Sequence, residues 1–242
     1  MRRNRTPGTR DEDRAVSEVL SFVLAFGIIL TSVAVLSMTG FQAMDDYRES
    51  EQLRNGERAM EALADNFNDV LRYDAIEKRH GELSLREGTV TTGNEGTNIT
   101  VEFNESGNEV EKTYDLGTFN YEYDSETIAY EGGAVVRAGE TGGSVVLGDP
   151  LLTCRDDTAI VSLVRVDADD RSIQSNDGVG FTAHVEERNS TTYDVDDGSK
   201  VSITVDDGET PYEGAWDTVE DDWNGCEPNR VQITVVTVDI DY

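Results

Sequence analysis

The chain has 242 residues, 50 of them acidic and 20 basic, and its formal net charge is −30. This charge excludes nucleic acid as a natural partner, because a phosphate backbone selects basic surfaces. Apolar residues make up 37% of the chain and form repeated strand-length runs, which argues against a disordered acidic chain.

The N-terminal segment, residues 1–15, is short, polar and rich in arginine, and we expect it to be an unstructured cytoplasmic leader. It precedes 26 consecutive uncharged residues between Glu18 and Asp45. At about 1.5 Å per residue this stretch exceeds the roughly 30 Å hydrocarbon core of a bilayer, so residues 16–44 are predicted to form a transmembrane helix. A cleaved secretory signal is the disfavoured alternative, because its apolar region spans only about 7 to 15 residues.

Charges on the two flanks predict the orientation of this helix. Five arginines lie within the first 18 residues, whereas the far end of the apolar stretch opens with Asp45 and Asp46. The positive-inside rule then keeps the N-terminus in the cytoplasm and places the C-terminal domain outside the cell, anchored by a single pass. Membrane lipid is the first partner that this topology implies.

A second helical pattern follows the apolar stretch. Apolar residues recur at three- and four-residue spacing from Ala59 to Leu71, while acidic residues occupy the other faces. The helix is therefore predicted to continue as an amphipathic extension over residues 45–80 and to end near His80 and Gly81, since glycine commonly terminates helices. Gly56 should weaken this helix and is a plausible point for a bend.

Residues 81–242 are predicted to form an extracellular, β-rich domain. Short apolar runs separated by Gly, Asn and Asp are typical of strands, so we expect an α+β fold: a long N-terminal helix followed by an all-β, antiparallel, sandwich-like head. The run "TAIVSLVRV" (158–166) is apolar in both phases, which indicates a central strand buried on both faces. In the run 230–240 the apolar phase changes at Val235 and Val236, so either a bulge or two-sided burial is required there.

The acidic excess lies entirely in the part expected outside the cell. Beyond residue 18 the chain holds 15 basic and 46 acidic residues, and only Lys78, Lys112 and Lys200 are lysines. Like charges at this density repel one another within a folded domain, and molar salt, with a Debye length of about 3 Å, screens that repulsion. In this respect the chain resembles proteins of extreme halophiles.

Cys154 and Cys226 both fall in the part expected to be exported. An even cysteine count outside the cytoplasm suggests one disulfide, closing a loop of about 70 residues and stabilising the fold by roughly 4 kcal/mol on the chain-entropy model. A metal site is the alternative, but neither His80 nor His184 stands at ligand spacing to a cysteine. We therefore predict no metal and no cofactor.

Three sequons lie in the head, at Asn98, Asn104 and Asn189, and each could accept an N-linked glycan or remain unmodified. The acidic cluster at 167–170 fails the calcium-loop pattern, because Arg171 stands where a third oxygen ligand is needed, and solvated surface is the favoured interpretation. No catalytic motif accompanies His184, so the chain is not expected to be an enzyme.

The stretch "DRAVSEVLSFVLAF", residues 13–26, resembles the start of haloarchaeal type IV pilins and pilin-like proteins. The resemblance implies that a prepilin peptidase cuts between Ala15 and Val16, after the charged Arg14, and leaves the apolar helix attached. The common pilin pattern has proline where this chain has Glu18, which is a departure. The head resembles a haloarchaeal family of uncharacterised pilin-like membrane proteins that has an N-terminal helix, a β-rich region and paired cysteines.

Residues at the start of the mature helix are candidates for helix packing. Ser17, Ser21 and Ala25 follow one another at four-residue spacing, which permits close approach of a second helix, although small residues are common in any span. Glu18 either pairs with the new amino terminus of a neighbour or lies among lipid head groups. Identical or related pilin-like subunits are the partners expected from this face.

Two functions therefore stand as expectations. The first is a pilin-like single-pass protein of the archaeal cell surface, with a structural or adhesive role as a subunit or minor subunit of a type IV pilus-like assembly. The second is a permanently anchored extracellular domain that senses or binds a ligand and does not polymerise.

Overall fold

The computed structural model describes residues 10–83, 87–139, 142–155, 157–174, 178–206, 210–223 and 225–242, with side chains from Ser17 onward. It divides into two compact units, the first ending at Glu51 and the second running from Gln52 to Tyr242. One continuous helix, α1 (Arg10–Arg72), passes through both units. A long N-terminal helix followed by a mostly antiparallel β domain confirms the predicted α+β class.

The second unit contains fourteen described strands and one further helix. They are β1 (Lys78–Leu83), β2 (Thr89–Gly93), β3 (Asn98–Glu105), β4 (Asn108–Asp115), β5 (Thr118–Tyr123), β6 (Glu126–Glu131), β7 (Ala134–Gly139), β8 (Ser144–Gly148), β9 (Leu151–Arg155), β10 (Thr158–Val166), β11 (Arg171–Gln174), β12 (Val179–Asp194), β13 (Ser202–Asp206), α2 (Glu213–Trp223) and β14 (Arg230–Asp241).

These strands form three sheets. Sheet A has the order β1-β12-β14-β10-β9, sheet B the order β11-β2-β5-β6-β7-β8, and sheet C the order β13-β3-β4. Strands β10 and β14 run parallel, whereas the other described pairs are antiparallel. The parallel pair lies at the centre of sheet A, and most of its side chains on both faces are buried or half-buried, although Ile160 of β10 is 38% exposed.

The first core lies where the C-terminal part of α1 meets sheets A and B. Phe67 of α1 is fully buried, and its ring packs edge-on against the rings of Phe119, Tyr130 and Phe181 at centroid distances of 6.1, 5.0 and 5.5 Å. Met60 and other apolar residues of the same helix face join this core. The three- and four-residue spacing read from the sequence therefore marks the buried face of the helix.

The second core lies under helix α2 and sheet C. It includes β3, the first halves of β10 and β14, and the α2 side chains Trp216 and Trp223. Sheet B serves both cores, because Ile128 and Tyr130 of β6 belong to the first core while Ala129, between them, belongs to the second. Alternation along a strand places successive side chains on opposite faces, so β6 is buried on both.

The last strand resolves the alternatives left open at Val235 and Val236. The β10–β14 register is continuous through both residues, so β14 has no bulge there. Val235 packs against the second core, and Val236 belongs to the first. Two-sided burial is therefore the correct alternative. Strand β10 shows the same change, because Leu163 belongs to the second core and Val164 to the first.

Helix α1 ends at Arg72, so the predicted extension over 45–80 with its end near Gly81 is wrong. Residues 78–83 instead form β1, an edge strand paired with β12. Gly81 is the register partner of Phe181, and a Cβ on Gly81 would lie 2.2 Å from Cζ of that ring. The glycine thus permits an aromatic ring to cover the strand, and it does not terminate the helix.

Arg188 of β12 contacts the C-terminal end of α1. Its guanidinium donates a hydrogen bond to the carbonyl of Val70, in the last turn of α1, and a longer one of 3.4 Å to the carbonyl of Ile76. Its Nη1 also lies 3.6 Å from Oδ1 of Asp74. A cation here satisfies carbonyls that the helix leaves free and complements the negative end of the helix dipole.

The N-terminal boundary also differs from the expectation. The leader, residues 1–15, was expected to be unstructured, but α1 begins at Arg10, so residues 10–15 are helical.

Candidate functional site

The first unit presents an apolar helix surface. Its most apolar 18-residue window has a mean hydropathy of 2.6 and is entirely unburied, and Leu36 and Met38 are 71% and 76% exposed. Among the described residues, one helix is long and apolar enough to cross a membrane. This segment fits a single-pass membrane anchor.

Two hydroxyl groups within the anchor donate hydrogen bonds to carbonyls of the same helix. Thr31 donates to the carbonyl of Gly27 at 2.8 Å, and Ser32 donates to the carbonyl of Ile28 at 2.7 Å. A polar group in hydrocarbon must find an internal partner, because water is absent there. These two hydroxyl groups therefore add little to the free energy required to place the helix in lipid.

The residues predicted for leader cleavage are Arg14, Ala15 and Val16. Their backbone belongs to α1, but their side chains lie outside the described part of the chain, so the cut between Ala15 and Val16 stays a prediction.

The predicted helix-packing residues, Ser17, Glu18, Ser21 and Ala25, are all exposed on α1. The surface of the helix within residues 23–36 is shallow and includes Gly27, where an added Cβ would meet nothing within 4 Å. Sequence reasoning missed this glycine. Because glycine has no side chain, a neighbouring helix could approach the backbone closely at this position.

Cys154 and Cys226 form a disulfide with a Cα–Cα distance of 5.9 Å, as expected from the sequence. The bond links the edge strand β9 to the segment that follows α2. Beside it lies a groove of about 510 Å³ that includes Pro150, Leu152 and Trp223. The disulfide therefore holds the end of α2 against sheet A.

The three sequon asparagines lie in different settings. Asn98 is half-buried in β3, between β13 and β4, whereas Asn104 and Asn189 are exposed. Asn104 stands near the β3–β4 hairpin, whose turn amides at Ser106 and Gly107 donate to the carboxylate of Asp196. An exposed asparagine is the more accessible acceptor, so the structure separates Asn98 from the other two.

Asn189 lies in a groove of about 400 Å³ between strand β4 of sheet C and one face of sheet A. We call this the Asn189 groove. Strand β12 contributes Asn189, Thr191 and Tyr193, and β4 contributes Tyr114. Strands β10 and β14 contribute the charged Arg165 and the apolar Ile233 and Val235, and Asp115 of β4 and Glu187 of β12 add two carboxylates.

The two tyrosines of the groove are held by their neighbours. The Tyr193 ring lies 5.1 Å from the ring of Phe103, and Nζ of Lys112 lies 5.8 Å from its centroid. Burial raises the pKa of Tyr114, and the proximity of Tyr193 raises it further. The Tyr114 hydroxyl therefore stays protonated at ordinary pH and can donate a hydrogen bond.

A buried carboxyl group lies in the second core. Glu131 is 0% exposed, and its Oε2 accepts hydrogen bonds from Oγ1 of Thr97 at 2.7 Å and Nε1 of Trp216 at 2.9 Å. Its Oε1 has no partner in the described part of the chain. Burial raises the pKa of Glu131, and the two hydrogen bonds oppose that shift.

The acidic cluster at 167–170 is close to other acidic side chains. It lines a polar groove with Glu186 and Asp239, and Oδ2 of Asp169 lies 3.2 Å from Nη2 of Arg171. Within the described residues, no three His, Cys, Asp or Glu side chains are arranged to hold a metal ion.

Helix α2 was missed because the head was expected to be all-β. Ala215, Trp216, Val219 and Trp223 are its buried residues, and their spacing follows one helical face. That pattern was available in the sequence. The pairing of Trp216 with Glu131 was not, since 85 residues separate them.

Comparisons with known proteins identify a family, but the function of that family is unknown. A model described as a family of unknown function, DUF7289, matches residues 14–241. Searches of curated proteins and of solved structures each returned no match. The chain belongs to this family of unknown function, DUF7289.

Proposed function

We propose that the chain is a pilin-like single-pass membrane protein of the archaeal cell surface, with a structural or adhesive role in a type IV pilus-like assembly. The observation that carries the proposal is the continuity of α1 from Arg10 through the pilin-like stretch and the apolar segment to Arg72. A cut after Ala15 would remove the arginines and keep the whole apolar helix. The proposed role is not catalytic.

The proposed topology follows from charge. The arginine-rich leader remains in the cytoplasm, and the acidic head lies outside the cell in high salt. Its proposed partners are membrane lipid, a prepilin peptidase, and identical or related pilin-like subunits. The exposed apolar surface of the anchor supports both lipid and helix partners, because either would remove it from water.

The first test is the mature N-terminus, measured by mass spectrometry of full-length protein purified from the membranes of its host. A chain that begins at Val16 is the expected result. A chain that retains residues 1–15 would remove the protein from the pilin pathway and favour a permanent anchor.

Polymerisation is tested by a matched pair of substitutions, Ala25→Leu and Ala34→Leu. Nine residues separate these alanines, which at about 100° per residue places them on opposite faces of the helix. Ala25→Leu should abolish surface filaments, because it enlarges the small-residue face, whereas Ala34→Leu should preserve them. Filament numbers equal to those of the wild type in both variants would contradict the assembly role.

The rival function is a permanently anchored domain that senses or binds a ligand. The Asn189 groove favours it, because the groove combines tyrosines, an arginine and apolar residues in a volume typical of ligand sites. Substitutions in this groove should change the activity of such a protein, whereas Ala25→Leu should not.

A further inference from the structure

We propose that the Asn189 groove seats a glycan carried by Asn189 of the same chain, so that the first sugars lie against Tyr114 and Tyr193. The inference rests on the proposed export of the head, since N-linked glycans are added to exported chains. It goes beyond the sequon itself, because it assigns the glycan a place and a structural role.

Asn189 is positioned to direct a glycan into the groove. It is the register partner of Val235 on the neighbouring strand, and Thr191 is the partner of Ile233. Directly opposite side chains of antiparallel strands lie within about 5.5 Å at Cβ, so a sugar on Asn189 starts beside the apolar residues of β14.

The side chain of Asn189 also has the appropriate hydrogen bond. Oγ1 of Thr191, the hydroxyl of the same sequon, donates to Oδ1 of Asn189 at 3.3 Å. This contact engages the carbonyl oxygen of the amide and leaves Nδ2, the atom that carries an N-linked sugar. Asn189 is exposed, so Nδ2 is open to modification.

Strand β12 is accessible at this position. Strand β1 pairs with β12 only at residues 179–184, so around Asn189 the described strands pair with β12 on the β14 side alone. Nothing in the described part of sheet A covers the other edge of this stretch. A transferase could therefore reach the asparagine in the folded head.

The lining of the groove suits a saccharide. Sugar rings present apolar faces that pack on aromatic and aliphatic side chains, and their hydroxyls need both donors and acceptors. The groove offers Tyr114 and Tyr193, the half-buried Val235, and the oppositely charged Arg165 and Glu187.

A glycan attached beside the groove can occupy it even if the groove binds free sugar weakly. A short linker gives the attached glycan an effective concentration in the millimolar range. If the intrinsic dissociation constant is about 0.1 mM, the groove is then empty in only about one molecule in ten. Asn104 provides the comparison, because it is an exposed sequon asparagine that does not line this groove.

The experiment uses full-length protein purified in high salt from the membranes of a halophilic archaeal host. Mass spectrometry measures glycan occupancy at Asn189, and hydroxyl-radical footprinting measures the reactivity of Tyr114 and Tyr193. Asn189→Gln should raise the reactivity of both tyrosines about tenfold, in line with the tethered occupancy. Asn104→Gln should leave it unchanged, and Thr191→Ser, which keeps the sequon, should retain the glycan and the protection.

Two outcomes would overturn the proposal. In the first, Asn189 is unmodified in the wild type, and protection of the tyrosines by added free oligosaccharide would then make the groove a receptor for foreign saccharide. In the second, Asn189 carries a glycan while the tyrosines react equally in wild type and Asn189→Gln. The same spectra report the N-terminus, so a chain that begins at Val16 with a bare Asn189 would reject this inference and leave the proposed function standing.

Discussion

The hydroxyl of Tyr130 in strand β6 donates a 3.0 Å hydrogen bond to Oδ1 of Asn68 in helix α1. Nδ2 of Asn68 in turn donates to the carbonyl of Gly133, at 3.1 Å, in the turn that follows β6. Asn68 is 7% exposed and Tyr130 is 0% exposed, so water does not compete for these bonds. One buried amide therefore fixes the position of α1 on sheet B within the second unit.

Replacing Asn68 by leucine should lower the free energy of unfolding by about 2 to 4 kcal/mol, because the Tyr130 hydroxyl and the Gly133 carbonyl would both lose a buried partner. Urea unfolding of the full chain in detergent and high salt measures this. Both tryptophans lie in the head, so their fluorescence reports its unfolding. Tyr130→Phe in the Asn68→Leu background should recover part of the loss, and additive effects would contradict a shared bond.

Gly56→Ala should destabilise the head despite the better helix propensity of alanine. The propensity gain is about 1 kcal/mol, but the new Cβ would lie 2.4 Å from Cε1 of Tyr121. That ring is 1% exposed, and its hydroxyl donates to the carbonyl of Glu87, so it has little freedom to move. We expect a net loss of about 1 to 2 kcal/mol, since overpacking costs about 1 to 3 kcal/mol.

The control for this change is Gly40→Ala on the same helix, where an added Cβ meets nothing within 4 Å. It should leave the unfolding midpoint of the head unchanged. A stabilised Gly56→Ala variant would show that the Tyr121 ring moves aside and that propensity dominates.

Local patterns predicted the elements, and distant contacts decided their boundaries. The spacing from Ala59 to Leu71 identified the buried face of α1, because helical periodicity is contained in the residues themselves. The end of that helix contacts Arg188, which follows Val70 by 118 residues and is not visible in any local window. Gly81 gave a misleading signal for the same reason, since its role depends on Phe181 across the sheet.

The candidate sites divide in the same way. The cysteine pair was predictable from its count, and the three sequons from their motif. Neither the grouping of Asn189 with Tyr114 nor the contact between Glu131 and Trp216 could be predicted, because each joins strands or helices that are remote in sequence. A single sequence does not indicate which residues of two remote strands or helices lie opposite each other.

Loss of the disulfide should destabilise the head substantially. The bond joins residues separated by 72 positions, and the chain-entropy model gives about 4 kcal/mol for a loop of this size. The double variant Cys154→Ser/Cys226→Ser should therefore unfold at a lower urea concentration than the oxidised wild type. Wild type treated with a reductant is the matched control and should fall to the same midpoint, and an unchanged midpoint in both would contradict a stabilising role.

Glu131 should make the stability of the head depend on pH. Burial raises the pKa of this carboxyl in the folded state above the value of about 4.3 expected in the unfolded chain. The folded state then holds the proton more tightly, so the stabilising contribution is complete below that unfolded value and is lost as pH rises through the folded pKa. Glu131→Gln keeps an oxygen acceptor for Thr97 and Trp216 and removes this dependence.

The measurement is the melting temperature of the full chain at pH 4 and pH 8, in constant high salt. Glu131→Gln should melt above wild type at pH 8 and close to wild type at pH 4, because the amide does not ionise. Glu109→Gln, at an exposed position on β4, is the control. Its melting temperature should differ from that of the wild type by the same amount at pH 4 and at pH 8. A Glu131→Gln variant that is less stable than wild type at pH 8 would mean that the ionised carboxylate is the favoured form, because its two hydrogen bonds outweigh the cost of burying the charge.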